Sequence, residues 1–480
     1  MKLRSYQENL IADIRGSVRE GHRNVLAVLP TGGGKTVIAS ALAESTSLAG
    51  QGIFFICHRD FLVYQTSLTF QRAGLDYGLI TAGKKMQDRP IQICSIDTLK
   101  NRIDNLDEIP RVIVWDEAHH LRAAGWMRVH GWTGDNINIG LTATPERLDG
   151  KGLNPPFTKM VLGPDTAELM AMGMLSGYRA FAPSKPDLSQ VRTIAGEYSA
   201  ADIDKAVRES VIMGDVVGTY QERAHGRRAV YFCPNIAYSQ ELAASFREHG
   251  INALHIDGDT PSKERVQAAI DFADGRLDVL TNCALFGEGY DLAAQAQRDV
   301  TIDCVGLVRP TESLTLHRQQ IGRGLRPKDY PCIILDHAGN VEKHGLPDDK
   351  IEWSLEGRPK EPRKSTVKLC PVCSCANAAT DKRCIECGAS LVEVRGGRGG
   401  PEEVRDIKIE EIDYAAHKAR REQMRQEERA CTSKADYVAL GKARGYKPQW
   451  AFIAWTRRKA ADAAAQERVE QQAAAYLRRA

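Results

Sequence analysis

An α/β fold of two tandem parallel-sheet domains, followed by a small cysteine-bearing module and a helical tail, is what this sequence predicts. Short, nearly continuously apolar runs alternate with amphipathic or small-residue stretches over residues 1–163. The same alternation resumes from Arg228. Behind it, five of the twelve cysteines fall within eighteen residues, which no α/β core requires.

The first series of strands is expected at Asn24–Leu29, Gly52–Cys57, Ile91–Ser95, Arg111–Trp115 and Ile137–Thr142. Each run is apolar on both faces, as befits a parallel sheet covered by helices on either side. Helices are expected between them, at Lys35–Ser47 and Arg59–Arg72. The second series is Arg228–Cys233, Ala253–Ile256, Val279–Asn282, Val300–Asp303 and Pro331–Leu335, separated by helices at Ala237–Glu248 and Lys263–Ala273. This βαβ grammar places one domain at 1–163 and a second at 164–347. The polar stretch 348–368, with Pro359 and Pro362, reads as a linker; the cysteine module spans 369–391. A Gly-rich break at 392–404 precedes a basic helical tail at 405–480.

Composition excludes several classes. At 480 residues, with 42% hydrophobic and 26% charged residues, the chain is an ordinary globular one rather than a disordered or fibrous one. No apolar run is long enough to span a membrane, and Met1–Ser5 lacks the apolar core of a secretory signal. A cytoplasmic protein with no membrane partner is expected, its scattered cysteines acting as small buried hydrophobes. The net charge of +3 hides an asymmetry: residues 355–480 hold 26 Lys and Arg against 18 Asp and Glu, so the rest is −5. Such a tail suits a polyanion, and suits solvated helices equally well.

Leu29-Pro30-Thr31-Gly32-Gly33-Gly34-Lys35-Thr36 lies between a strand and a helix, the setting of a phosphate-binding loop. Thr31 and the three glycines would turn backbone N–H groups toward phosphates at the positive end of the helix. Lys35 would reach the terminal phosphates and Thr36 would hold Mg²⁺. Leu29 stands where the strict pattern has glycine. Val112-Ile113-Val114-Trp115-Asp116-Glu117 ends its strand on two carboxylates, one suited to Mg²⁺ (Asp116) and one to orienting the attacking water (Glu117).

With Ala118 and His119, the pair Asp116-Glu117 spells the DEAH box, and residues 3–340 resemble the superfamily 2 helicases. The resemblance implies two RecA-like domains, ATP as cofactor and a nucleic-acid track. It implies adenine recognition by Arg4-Ser5-Tyr6-Gln7, with Arg4 and Gln7 on the nucleotide, and a coupling motif at Leu141-Thr142-Ala143-Thr144-Pro145. Gly287–Asp291 resembles motif V, which puts Gly289 and Asp291 on the nucleotide side of the cleft. Gln319–Pro327 resembles motif VI, implying Gln320 beside the attacking water and Arg323 and Arg326 toward the γ-phosphate. Track contacts would fall at His58-Arg59-Asp60, Asp97-Thr98-Leu99, Asn235 and Thr281; each suits a helix cap or turn equally well.

Cys370-x₂-Cys373 and Cys384-x₂-Cys387 form two knuckles ten residues apart, the spacing of a structural Cys₄ zinc ribbon. A redox pair is the rival reading, and Cys375 is a bystander. In the tail, Tyr446, Trp450 and Trp455 interleave with Lys447 and Arg457-Arg458-Lys459, which suits either base stacking or the packing of a helical hairpin. Motor, ribbon and tail together resemble bacterial and phage RadD-like DNA helicases, although Ser5 departs from the proline found in relatives. The expected enzyme is a nucleic-acid-stimulated ATPase that moves along DNA, in repair, recombination or replication, with a protein partner possible at the ribbon or tail. The alternatives are an RNA helicase, and a zinc-ribbon binding protein whose ATPase switches its affinity without unwinding.

Overall fold

The computed structural model describes residues 3–106, 108–147, 150–182, 186, 188, 191–194, 197–210, 213–283, 292–357, 367–369, 376–378, 382–383, 391, 411–412, 427, 430–443 and 455. The chain divides into two compact units, one of residues 1–367 with 404–411 and one of 368–403 with 412–480.

The first unit contains two α/β layers in succession. Seven strands make the first sheet: β1 (Asn24–Val28), β2 (Ile53–Cys57), β3 (Gly78–Ile80), β4 (Ile91–Ser95), β5 (Val112–Asp116), β6 (Ile137–Thr142) and β7 (Lys159–Leu162). They lie in the order β3-β4-β2-β5-β6-β1-β7, every pairing parallel. Burial on both faces explains the unbroken apolar runs: β2 and β4 are buried at every position. A polar pair deep in the sheet is satisfied, since Trp115 Nε1 donates to Asn138 Oδ1 at 2.9 Å.

In the second sheet β8 (Tyr178–Phe181), β11 (Ala229–Phe232), β12 (Ala253–Ile256), β13 (Val279–Asn282), β14 (Cys304–Leu307) and β15 (Cys332–Asp336) run parallel in the order β12-β13-β11-β14-β15-β8. A two-stranded hairpin, β9 (Thr193–Ile194) with β10 (Glu197–Tyr198), lies between β8 and β11 in the chain. The core under this sheet centres on Tyr220, Tyr231, Phe246 and their aliphatic neighbours.

One strand differs from expectation. The run Val300–Asp303 is not a strand; the strand is Cys304–Leu307, in register with Ala229–Phe232 on one side and Ile333–Asp336 on the other. Gly306 weakens the β signal of that segment, yet it is required there: a Cβ at Gly306 would lie 2.1 Å from the Tyr231 ring. Val300 and Ile302 are buried as an irregular lead-in, which is why they mimic a strand in sequence. Asp303 anchors that lead-in by accepting from the Tyr330 hydroxyl at 2.8 Å.

Residues 346–357 return from the second sheet to the first. Trp353 and Leu355 pack against the first-domain core that includes Leu153, Phe157 and Trp126. Asn154 N donates to Leu355 O at 2.9 Å, and Lys151 forms an antiparallel bridge with Gly357. The stretch expected to be a linker thus carries packed structure over residues 348–357.

Candidate nucleotide site

Three loops meet at the carboxyl ends of the adjacent strands β5, β6 and β1. In a parallel sheet this edge is where ligands bind, because the following helices begin there and present free N–H groups. The loop after β1 is the glycine run. Gly32 and Gly34 take φ of +86° and +90°, a conformation that a side chain would oppose, and Gly34 stands at the N-cap of the helix Lys35–Leu48. Leu29 is buried beneath the loop, and a Cβ on Gly33 would lie 2.6 Å from its Cγ. The residue that departs from the strict motif is therefore the floor on which the loop packs.

The helix Ser5–Arg19 braces the loop from the side. Tyr6 donates its hydroxyl to Gly33 O at 2.9 Å, and Gln7 Nε2 approaches the same carbonyl at 3.4 Å. Gln7 Oε1 accepts from Arg4 N at 3.0 Å, so both ends of this buried amide are held. In sequence Tyr6 is only a member of the Arg4–Gln7 motif; its bond to the loop has no sequence signal.

Across the loop, Lys35 Nζ lies 3.8 Å from Glu117 Oε1. Burial pushes the Asp116 carboxyl up, and the adjacent Glu117 charge adds to that. Burial also opposes ionisation of Glu117, but Lys35 first, then His119, His120 and His58, outweigh it and hold this carboxyl below its usual range. Glu117 is one of two non-glycine residues of positive φ among the described residues, at +46°. Such a conformation costs about 1–2 kcal/mol and persists only where the surroundings impose it. From Glu117 Oε2 a polar chain runs to His119 Nδ1 at 3.4 Å and on to Thr142 Oγ1 at 3.3 Å. Thr142 then donates to Thr144 O at 2.8 Å, joining the ends of β5 and β6.

The second domain contributes the end of the helix Leu314–Gly322. A Cβ on Gly322 would lie 2.7 Å from Thr31 Cβ, so this helix end touches the glycine loop. Gln320 is 2% exposed, and its Oε1 is buried with no hydrogen-bond partner. Arg323 and Arg326 follow directly, both partly buried. Thr36 is partly buried at the start of the helix after the loop.

Several expected residues are placed elsewhere or not described. Asn235 caps the helix Ile236–Glu248, accepting from Tyr238 N at 2.8 Å. Thr281 is fully buried and donates to Ser239 O at 2.8 Å. Asp97 pairs with Lys100 at 2.5 Å, and Asp60 accepts from Thr81 at 2.8 Å on the surface. Gly289 and Asp291 lie outside the described residues, as do Cys370, Cys373, Cys384 and Cys387. Among the described residues no cluster suited to a metal ion is found, and no helix is long and apolar enough to cross a membrane.

Two parallel-sheet domains, with a glycine loop and a carboxylate pair on one and an arginine-bearing helix end on the other, define the motor class of ATP-hydrolysing helicases. Residues 1–147 match the family described as type III restriction enzyme, res subunit, and residues 210–328 match the helicase conserved C-terminal domain. A 51.5 kDa protein of a Lactococcus phage is 33% identical over 75% of this chain and 76% of its own length. A Saccharomyces cerevisiae protein provisionally named ATP-dependent helicase IRC3 is 30% identical over 70% of this chain; the chain spans about half, 51%, of its length. The DNA 3'-5' translocase XPB2 of Sulfurisphaera tokodaii is 27% identical over 70% of this chain and 81% of its length. The chain belongs to the superfamily 2 helicases, and its tandem RecA-like domains are those of a nucleic-acid-dependent ATPase.

Proposed function

We propose that this chain is an ATP-driven DNA translocase or helicase of the DEAH type, acting in DNA repair, recombination or replication. The observation that carries the reading is the seam at which Gly322 meets Thr31, with the orphaned Gln320 Oε1 on the same helix. A buried acceptor without a donor suits a water or hydroxyl that arrives with substrate. The related archaeal DNA translocase supports DNA as the track, and the basic balance of residues 355–480 agrees.

In this reading Arg4 and Gln7 hold the base, while Gly32, Gly33, Gly34 and Lys35 hold the phosphates. The oxygen donors Thr36 and Asp116 fit Mg²⁺, a hard cation, and two buried carboxylates side by side favour one. When bound, Mg²⁺ supplies charge neutralisation at the phosphates. Glu117, kept ionised, orients and deprotonates the attacking water, and Gln320 holds that water from the second domain. Arg323 and Arg326 lower the barrier by countering charge on the transferred phosphoryl group; one such arginine is worth roughly 10³–10⁵ in rate. Hydrolysis releases the contact between the domains, and alternate gripping by the two domains moves the track. Gly289 and Asp291 complete the nucleotide side.

Cys370, Cys373, Cys384 and Cys387 are proposed to hold a structural Zn²⁺, as in RadD-like helicases, on the strength of their spacing. A cytoplasmic, reducing setting is in keeping with seven free cysteines among the described residues.

Steady-state ATPase rates without nucleic acid, then with single-stranded DNA, duplex DNA and matched RNA, test the reading. Strong stimulation by DNA alone is expected. Equal or greater stimulation by RNA would transfer the track to RNA, and DNA-stimulated turnover with no strand displacement or translocation would leave only an ATPase switch.

A further inference from the structure

The helix that ends at Gly322 is held at its other side by the returning segment. Arg318, one turn before Gly322, donates from Nη1 to Pro347 O at 2.5 Å and from Nη2 to Asp349 O at 2.9 Å and Leu346 O at 3.4 Å. Tyr178 adds a bond from its hydroxyl to Asp348 Oδ1 at 2.6 Å. Eight residues after Pro347 the same segment is rooted in the first domain. There Leu355 O accepts from Asn154 N, and Glu356 Oε1 accepts from Asn154 Nδ2 at 3.3 Å. The root is close-packed: a Cβ on Gly152 would lie 1.9 Å from Leu355 O. Arg122, three residues after His119, donates to Asn154 O at 3.2 Å and Pro155 O at 2.9 Å, which ties the root to the carboxylate loop.

Between this segment, the Arg318 helix and the glycine loop lies a cavity of about 360 Å³, reaching from Thr31 to Trp353. Several of its polar groups are committed to structure: Asp165 and Glu168 cap each other's backbone, Asp349 caps Leu346 N, and Arg318 holds three carbonyls. The cavity separates the segment from the glycine loop over most of its length, so the two meet chiefly through the Arg318 helix.

We propose that residues 346–357 are a strap, and that Arg318 is a positioning residue through which the strap sets where the Gln320–Arg326 helix end stands against the glycine loop. In the proposed site ATP is held by the glycine loop, whereas the strap is rooted at Asn154 and beside Leu153. Loosening the strap at either end should therefore lower turnover and leave nucleotide affinity alone. The inference rests on the proposed roles of Arg323 and Arg326.

The test compares Arg318→Ala at the head of the strap, Trp353→Ala at its root, and the double variant, in the full chain with saturating single-stranded DNA. Turnover is expressed per ADP-binding site, so that a misfolded fraction does not count. Each single variant should lower kcat by about tenfold with KM for ATP changed by less than about twofold, as expected for a misplaced catalytic group. Because both act through one element, the double variant should lose no more than either single. Losses that multiply, a rise in KM that accounts for the change, or an unchanged kcat in Arg318→Ala would each overturn the strap. Arg323→Ala separates the two claims: if it alone is inactive while Arg318→Ala is normal, the strap fails and the site stands, whereas a normal Arg323→Ala sinks the site reading.

Discussion

Gly322 and Thr31 stand in contact across the two domains, with space at Gly322 for a hydrogen but not for a methyl group. A side chain there would act as a wedge between the glycine loop and the arginine-bearing helix. Gly322→Val is expected to lower kcat by at least about tenfold while each domain stays folded, because a displacement near 1 Å suffices to misplace a catalytic group. Thermal unfolding should change little, and Thr31→Gly in the same chain should recover part of the rate. Full activity in Gly322→Val would mean that the two surfaces do not meet during turnover.

The glycine loop and the carboxylates make separable demands on the nucleotide. Lys35→Ala should reduce ATP turnover by more than about a hundredfold with weakened binding. Glu117→Gln should bind ATP as the parent does, yet hydrolyse it at a similarly low rate. Equilibrium binding of a fluorescent ATP analogue alongside phosphate release distinguishes the two, and normal turnover in both would place the reaction elsewhere.

Leu29 supports the loop from below, so restoring the glycine of the strict motif should harm this protein. Removing a buried Leu costs about 2–5 kcal/mol when the site cannot collapse, and Gly adds backbone freedom. Leu29→Gly should lower the unfolding midpoint of the first domain and weaken nucleotide binding, read by calorimetry with and without ADP. A stabilised variant would show that the loop does not rest on Leu29.

Asp257 gives a pH signature in the second domain. Burial works against its charge, but bonds from the Thr260 hydroxyl at 2.8 Å and from His255 at 3.1 Å, then from Thr260 N, hold its carboxyl below the usual range. Because the folded value is depressed below about 3.9 in the unfolded chain, its contribution is present above that pH and lost as pH falls through the folded value. Asp257→Asn should therefore cost about 1 kcal/mol near pH 7 and progressively less below pH 4. Urea unfolding at the two pH values checks this; a cost that grows in acid would reverse the assignment.

The proposed Cys₄ site predicts about one zinc per chain, lost in Cys384→Ser, by elemental analysis of the purified protein. Iron, or no metal, would leave the two Cys-x₂-Cys pairs to redox chemistry.

Much of the architecture was legible because its strands are buried on both faces. Ile53–Cys57 and Ile91–Ser95 read as apolar runs for that reason. Three strands of the parallel sheets carry a weak sequence signal: Gly78–Ile80 is only three residues long, Lys159–Leu162 is a partly exposed edge strand, and Tyr178–Phe181 carries an exposed Arg179. Gly306 disguised β14, since its fitness depends on a tyrosine 75 residues earlier in the chain. In the site, the glycines and carboxylates carry their chemistry in their identity. The support beneath them does not: Tyr6 on Gly33, Leu29 under the loop and Arg318 on the returning chain matter only through neighbours that folding supplies.

The two motor domains are joined twice, by the direct connection at 163–177 and again by the packed return at 346–357. A body fixed at one point can swivel in any direction; fixed at two, it can only turn about the line between them. Two connections narrow the relative motions open to the second domain more than one would, and the seam at which Gly322 meets Thr31 lies between the same two domains. A change at the glycine loop therefore has fewer ways to reach the second domain, and those ways pass through covalent and packed links that each cycle leaves in place.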